Sequence, residues 1–178
     1  MFEEYLEDAA EFFEEAKQTA DIRIARRYYR AAVFYTSGAM EAFVNYIADS
    51  FEKGGTFTPH EIAFLTDKNL MFSQKIWELA EKTEYHRVED KIRFLLSKFS
   101  PEFNFNNQAW SSLMSLKEIR DSLIHPKNAE DETTAAEYCK ILSTGLHGVI
   151  STMNSVSEAI FKKPLRHKIL DLKPDKLV

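Results

Sequence analysis

Apolar residues recur along most of this chain at the spacing of an α-helix, with polar residues filling the rest of the wheel. Phe2, Tyr5, Leu6, Ala9, Phe12, Phe13 and Ala16 mark a first amphipathic helix whose outer side carries Glu3, Glu4, Glu7, Asp8, Glu11, Glu14 and Glu15. Residues 21–52 predict one long helix ended by Gly54-Gly55, with Ala25, Tyr28, Tyr29, Ala32, Tyr35, Ala39, Phe43, Tyr46 and Ile47 on its apolar face. Thr58-Pro59-His60-Glu61 predicts a capped helix start, with Pro at the first helical position and Glu three residues after the cap. Two further helical segments are expected over residues 68–82 and 87–99, then an irregular stretch over 100–108. That stretch either packs Phe103 and Phe105 onto the core or forms part of a substrate rim. Residues 109–124 and 130–161 complete the set. The last helix has Ala135, Cys139, Leu142, Leu146, Val149, Met153, Val156 and Ile160 at heptad-like spacing, and Gly145 and Gly148 allow close helix contact. The pattern predicts an all-α, single-domain helical bundle of five to seven helices, without a sheet, over residues 1–163. A basic tail follows over 164–178.

Composition narrows the class. With 178 residues, 44% hydrophobic and 13% aromatic, the chain can bury a proper core, and five Gly and five Pro leave few helix breakers. A formal net charge of −5 argues against broad, non-specific affinity for nucleic acid, while leaving room for a local basic cleft. Met1-Phe2-Glu3-Glu4 lacks the layout of a signal peptide. The longest uncharged run, residues 141–157, is rich in Ser, Thr and Gly and makes a poor membrane span. A single cysteine, Cys139, excludes an internal disulfide and fits a small core residue. A cytoplasmic protein without a membrane partner is expected. No metal-ligand cluster, nucleophile elbow or Gly-rich phosphate loop is present in the sequence, so neither a metal nor another cofactor is expected.

The chemistry concentrates in Arg120-Asp121-Ser122-Leu123-Ile124-His125, followed by Pro126. Trp110, Leu113, Met114, Leu116, Ile119, Leu123 and Ile124 cover most of the helix circumference, and Arg120 falls inside that apolar sector. A guanidinium keeps its charge, so burying it requires either a carboxylate partner or a bound anion. Pro126 ends the helix near His125. In an unbroken helix, Arg120 and His125 would diverge by about 140° and rise about 7.5 Å. They cooperate only if the last turn loosens, or if a second subunit supplies its own copy across a two-fold axis. An imidazole moves protons near neutrality, and a guanidinium holds phosphate oxygens bidentately. The pair therefore suits phosphodiester chemistry. It equally suits a core ion pair beside a histidine at a helix C-terminus.

The string Leu116-Lys117-Glu118-Ile119-Arg120-Asp121-Ser122-Leu123-Ile124-His125-Pro126 resembles the signature of the HEPN superfamily: Arg, a polar residue, three more residues, then His. Residues 31–45, with Glu41, resemble the early core helix of such domains, which often carries an acidic residue near the Arg–His site. The resemblance implies a helical bundle that dimerises through the motif helices. In the catalytic branches it implies a metal-independent ribonuclease, frequently the toxic half of a defence or toxin–antitoxin system. Carried over by position, Arg120 would stabilise the transition state, His125 would act as general acid or base, Asp121 would orient them, and Glu41 would be the acidic neighbour. One departure stands out: a subgroup has Tyr two places after the His, where this chain has Lys127, so neutralisation by modification of that tyrosine is in doubt.

Lys117 and Lys127 flank the motif and are candidate RNA contacts. Arg23, Arg26, Arg27 and Arg30 form a basic patch on the second helix. They either pair with the acidic first helix or form a backbone track for RNA leading toward Glu41. His60 and His86 are expected at the surface, and His147 as a structural histidine. The tail, with Arg166, Lys168, Lys173 and Lys176, either docks on the acidic first helix or contacts RNA. Two functions from different classes follow. One is a homodimeric metal-independent endoribonuclease with RNA and an antitoxin or other protein as partners; the other is a catalytically silent module that binds RNA, a nucleotide or a protein.

Overall fold

The first two helices set the frame. In the computed structural model, which describes residues 1–51, 55–73, 75–126 and 131–172, α1 (Phe2–Gln18) turns Leu6, Ala9, Phe13 and Ala16 inward. It packs along α2 (Ile22–Phe51), where Phe12 meets Tyr28 and Tyr35, Phe13 meets Tyr29, and Phe2 meets Phe43 edge-on. The Asp21 side chain accepts from the Arg23 backbone N–H at 2.8 Å and so satisfies a free donor at the start of α2. Then come α3 (Pro59–Leu65), a hairpin, α4 (Val88–Phe99), α5 (Gln108–Ile124), α6 (Ala135–Phe161) and the short α7 (His167–Leu170). The chain is thus a mostly helical single-domain bundle, with seven helices and one two-stranded sheet among the described residues. Met40, Phe43, Ile47, Leu113, Leu116, Leu142, Leu146 and Val149 lie in its centre, each side chain contributing about 1.5–3 kcal/mol by burial.

The sheet corrects the expectation of a helix over residues 68–82. β1 (Lys68–Ser73) and β2 (Ile76–Thr83) pair antiparallel, setting Leu70 opposite Leu79 and Phe72 opposite Trp77. The Phe72 and Trp77 rings lie 5.3 Å apart, and Trp77 meets the ring of His60 at 5.0 Å. Cross-strand pairs of this kind contribute roughly 0.2–1 kcal/mol each. Asp67 closes the base of the hairpin: its carbonyl accepts from Glu84 N–H at 2.9 Å, and its carboxylate accepts from His86 N–H at 2.7 Å and Lys91 Nζ at 2.6 Å. These bonds between residues far apart in sequence override a local pattern that favours a helix.

α5 and α6 approach closely because α6 carries no side chain where they cross. A Cβ placed on Gly148 would sit 2.6 Å from the Ala109 carbonyl oxygen, and one on Gly145 would sit 3.0 Å from Leu116 Cβ. The irregular stretch before α5 packs inward: Phe103, Phe105 and Trp110 form a ring cluster, capped by the Arg93 guanidinium 4.9 Å from the Phe105 centroid. α6 begins at Ala135, later than residue 130, behind a capping box of Thr134 and Glu137.

The basic patch of α2 has a different partner from the acidic first helix. Arg26 Nη2 and Arg30 Nη1 lie 3.0 and 3.2 Å from Asp131 Oδ2, which also accepts from the Tyr138 hydroxyl at 2.8 Å. Arg26 also donates to the Asp131 carbonyl. Arg23 is 90% exposed and meets only the nearby Asp21 among the ion pairs described. Burial would raise the Asp131 carboxyl, but bonds from Tyr138, Thr133 and Arg26 outweigh it and hold the group at about 2. Because the folded value lies below the ordinary one, this stabilisation is full above pH 4 and is lost as the pH falls through about 2. Asp131→Asn is therefore expected to cost about 2 kcal/mol at pH 7, the scale of hydrogen bonds to a charged group. Urea denaturation should show the deficit shrinking between pH 4 and pH 2.

The segment after Pro164 docks on α1. Arg166 Nε donates to Glu3 Oε1 at 2.7 Å, Lys168 Nζ lies 2.7 Å from Glu7 Oε1, and Leu165 and Ile169 are buried. Lys173 and Lys176 lie outside the described residues. No helix among the described residues is long and apolar enough to cross a membrane.

Candidate functional site

α5 is anchored at its start and free at its end. Asn107 caps it by accepting from Trp110 N–H at 2.8 Å, and Leu113 and Leu116 fix it against α6. Past Leu116 the burial lessens, and Lys117, Arg120 and Asp121 are only partly covered. At His125 the backbone leaves the helix (φ −121°, ψ 65°), although its N–H still donates to the Asp121 carbonyl at 2.9 Å. Pro126 explains the exit. The helix holds through Ile124 and only His125 departs from it, yet Arg120 and His125 of one chain line the same cavity.

The guanidinium has two carboxylate neighbours. Arg120 Nη2 lies 3.3 Å from Glu41 Oε1 on α2, and Arg120 Nη1 lies 3.1 Å from Asp121 Oδ1. The Arg120 side chain nevertheless remains 32% exposed. Lys117 Nζ bridges Asp121 Oδ2 at 2.8 Å and the buried Glu89 Oε1 at 3.1 Å. Burial works to raise the Asp121 carboxyl, but Lys117 and Arg120 prevail and hold it below the usual range. Asp121 in turn raises Lys117 above the ordinary lysine value, against the opposing effect of burial. Both groups stay charged at neutral pH.

The cavity measures about 390 Å³, within the size range of small-ligand sites. Ser37, Met40 and Glu41 form the α2 wall; Lys117, Arg120, Asp121 and His125 form the α5 wall; Tyr85, His86, Arg87, Val88 and Glu89 form the third. Among the residues expected from sequence, Arg120, Asp121, His125, Glu41 and Lys117 come together here. Arg23, Arg26 and Arg30 do not line this cavity, and Lys127 lies outside the described residues. His147, expected as a structural histidine, is exposed on α6 and does not line the cavity. The third wall is not among the site residues expected from the sequence. Tyr85, 87% exposed, and His86, 26% exposed, are brought to the motif by the hairpin, for which the sequence carries no Gly- or Asn-based turn signal. His60 is exposed, as expected.

Chemically, the cavity offers a partly open guanidinium, an exposed imidazole at a helix end, and carboxylates that fix the cation in place. Among the described residues, no group of three or more His, Cys, Asp or Glu is placed to hold a metal ion. Comparison with family models, with curated proteins and with solved structures finds no match to this chain.

Proposed function

We propose that this protein is a metal-independent endoribonuclease of HEPN type, acting as a homodimer in a microbial defence or toxin–antitoxin setting. The observation that carries the reading is the opening of Arg120 and His125 into one cavity, with Glu41 and Asp121 holding the guanidinium. Arg120 would bind the scissile phosphate and stabilise the charge that develops on it. His125 would transfer a proton, and the RNA 2′-OH would be the nucleophile. A gel of purified protein with total RNA and EDTA, beside an Arg120→Ala/His125→Ala double variant, tests it. Cleavage by the parent chain alone supports the reading; equal cleavage by both, or by neither, refutes it.

The dimer belongs to the same proposal and rests on the resemblance of the motif helix. The two-fold interface would include the C-terminal end of α5, where Ile124 is 40% exposed. Sedimentation at micromolar concentration is expected to give a dimer, and a strict monomer would contradict it. A second reading, a catalytically silent module that binds RNA, a nucleotide or a protein partner, is favoured by one observation: both sides of the Arg120 guanidinium already meet carboxylates. Specific RNA binding without cleavage would select it.

A further inference from the structure

Resting on the ribonuclease reading, we infer that His86 is the second proton-transfer group of the Arg120 cavity, so that one chain holds both the acid and the base. Cleavage through the 2′-OH needs two proton movements, and within one chain His125 supplies one group. His86 lines the same cavity as Arg120 and His125. Its ring makes no structural hydrogen bond through Nδ1, which is shielded from solvent and unpartnered. The loop is held instead by the His86 backbone N–H, which donates to Asp67 Oδ1 at 2.7 Å.

What surrounds the ring favours proton transfer. The same Asp67 Oδ1 lies 3.6 Å from Nδ1, and Glu84 Oε1 lies 3.9 Å from Nε2. A carboxylate beside an imidazole orients the ring. Separations somewhat beyond hydrogen-bond length are common before substrate binds. The Phe64 ring, 4.6 Å away between centroids, limits how the imidazole tilts. Asp67 occupies the left-handed region (φ 56°), a costly conformation for a residue with a side chain, and Lys91 helps fix its carboxylate there.

The chemistry balances. One neutral imidazole takes the proton of the 2′-OH as the 2′-oxygen forms a bond to phosphorus. The P–O5′ bond breaks, and the departing 5′-oxygen takes a proton from the other, protonated imidazole. A 2′,3′-cyclic phosphate and a 5′-hydroxyl result, and the two imidazoles have exchanged protonation states. Arg120 meets the phosphoryl oxygens throughout.

Two substrates test the assignment: a mixed-sequence RNA oligonucleotide, and the four nucleoside 3′-(p-nitrophenyl phosphate) esters, whose leaving group departs without a proton. His86→Ala and His125→Ala are each expected to lower RNA cleavage by roughly 100-fold or more. On the p-nitrophenyl esters, one variant should return to within about tenfold of the parent while the other stays impaired, since only the acid becomes dispensable. His86→Gln, which keeps bulk beside Phe64, guards against misfolding and should behave as His86→Ala does. RNA cleavage within about threefold of the parent in both His86 variants overturns the inference and leaves the ribonuclease reading standing. Recovery of both histidine variants, or of neither, also overturns it. A parent chain that cleaves no RNA fails the ribonuclease reading first, and the inference with it.

Discussion

His125→Ala is expected to lower RNA cleavage by roughly two or more orders of magnitude, the usual scale for losing a general acid–base group. The residue stands at the exposed end of α5 beyond the packed core, so its loss should leave stability little changed. Arg120→Lys is expected to be strongly impaired as well, despite keeping its charge. The guanidinium reaches Glu41 with one nitrogen and Asp121 with another, and a single ammonium cannot reproduce that planar fork or grip two phosphate oxygens with it. Initial rates on one RNA, together with thermal melts of each variant, check both outcomes. Full activity in His125→Ala would place the chemistry elsewhere.

Gly148→Ala should destabilise the bundle, and it should reach the cavity indirectly. The added Cβ would sit 2.6 Å from the Ala109 carbonyl oxygen, 2.9 Å from Ser112 Cβ and 3.1 Å from Leu113 N. Two of these are backbone atoms of α5, so relief requires moving the helix that carries Arg120. Replacing Gly by Ala within a helix gains about 1 kcal/mol of propensity, whereas overpacking of this kind costs about 1–3 kcal/mol or more. A net loss of about 2 kcal/mol is expected by urea denaturation. Gly145→Ala should cost less, because its nearest neighbours are atoms of the Leu116 side chain.

Both glycines are legible in the sequence as points of close helix contact, and so are the long helices. Leu6, Ala9, Phe13 and Ala16, or Leu142, Leu146, Val149 and Met153, repeat with a period that only a helix buries on one side. The core of the candidate site was legible for a related reason: Arg120, Asp121 and His125 lie within six residues, and Pro126 fixes where the helix ends. What the sequence hid was built by contacts distant along the chain. Lys68, Leu70, Met71, Lys75, Glu78, Leu79 and Ala80 suit a helix, and Lys75, which adopts φ 68° beside Ile76, does not announce a turn.

The pairing of the two strands shapes the site. A fifteen-residue helix from Lys68 would carry the chain roughly 22 Å away from Asp67. The hairpin returns it, with Lys68 opposite Thr83, so His86 reaches Asp67 and the motif cavity. Read as a surface residue, His86 has no partner; its surroundings exist only after the strands pair. Arg26 and Arg30 teach the same lesson, because their carboxylate comes from Asp131, 101 positions beyond Arg30.

The most direct test of the Arg120–His125 cavity as a ribonuclease site is end-group analysis of one defined RNA after incubation with the purified chain in EDTA. Mass spectrometry should find 2′,3′-cyclic phosphate and 5′-hydroxyl ends, and a copy of the RNA methylated at every 2′-OH should stay intact. Cleavage of the methylated RNA, 5′-phosphate products or a requirement for Mg²⁺ would contradict the proposed chemistry.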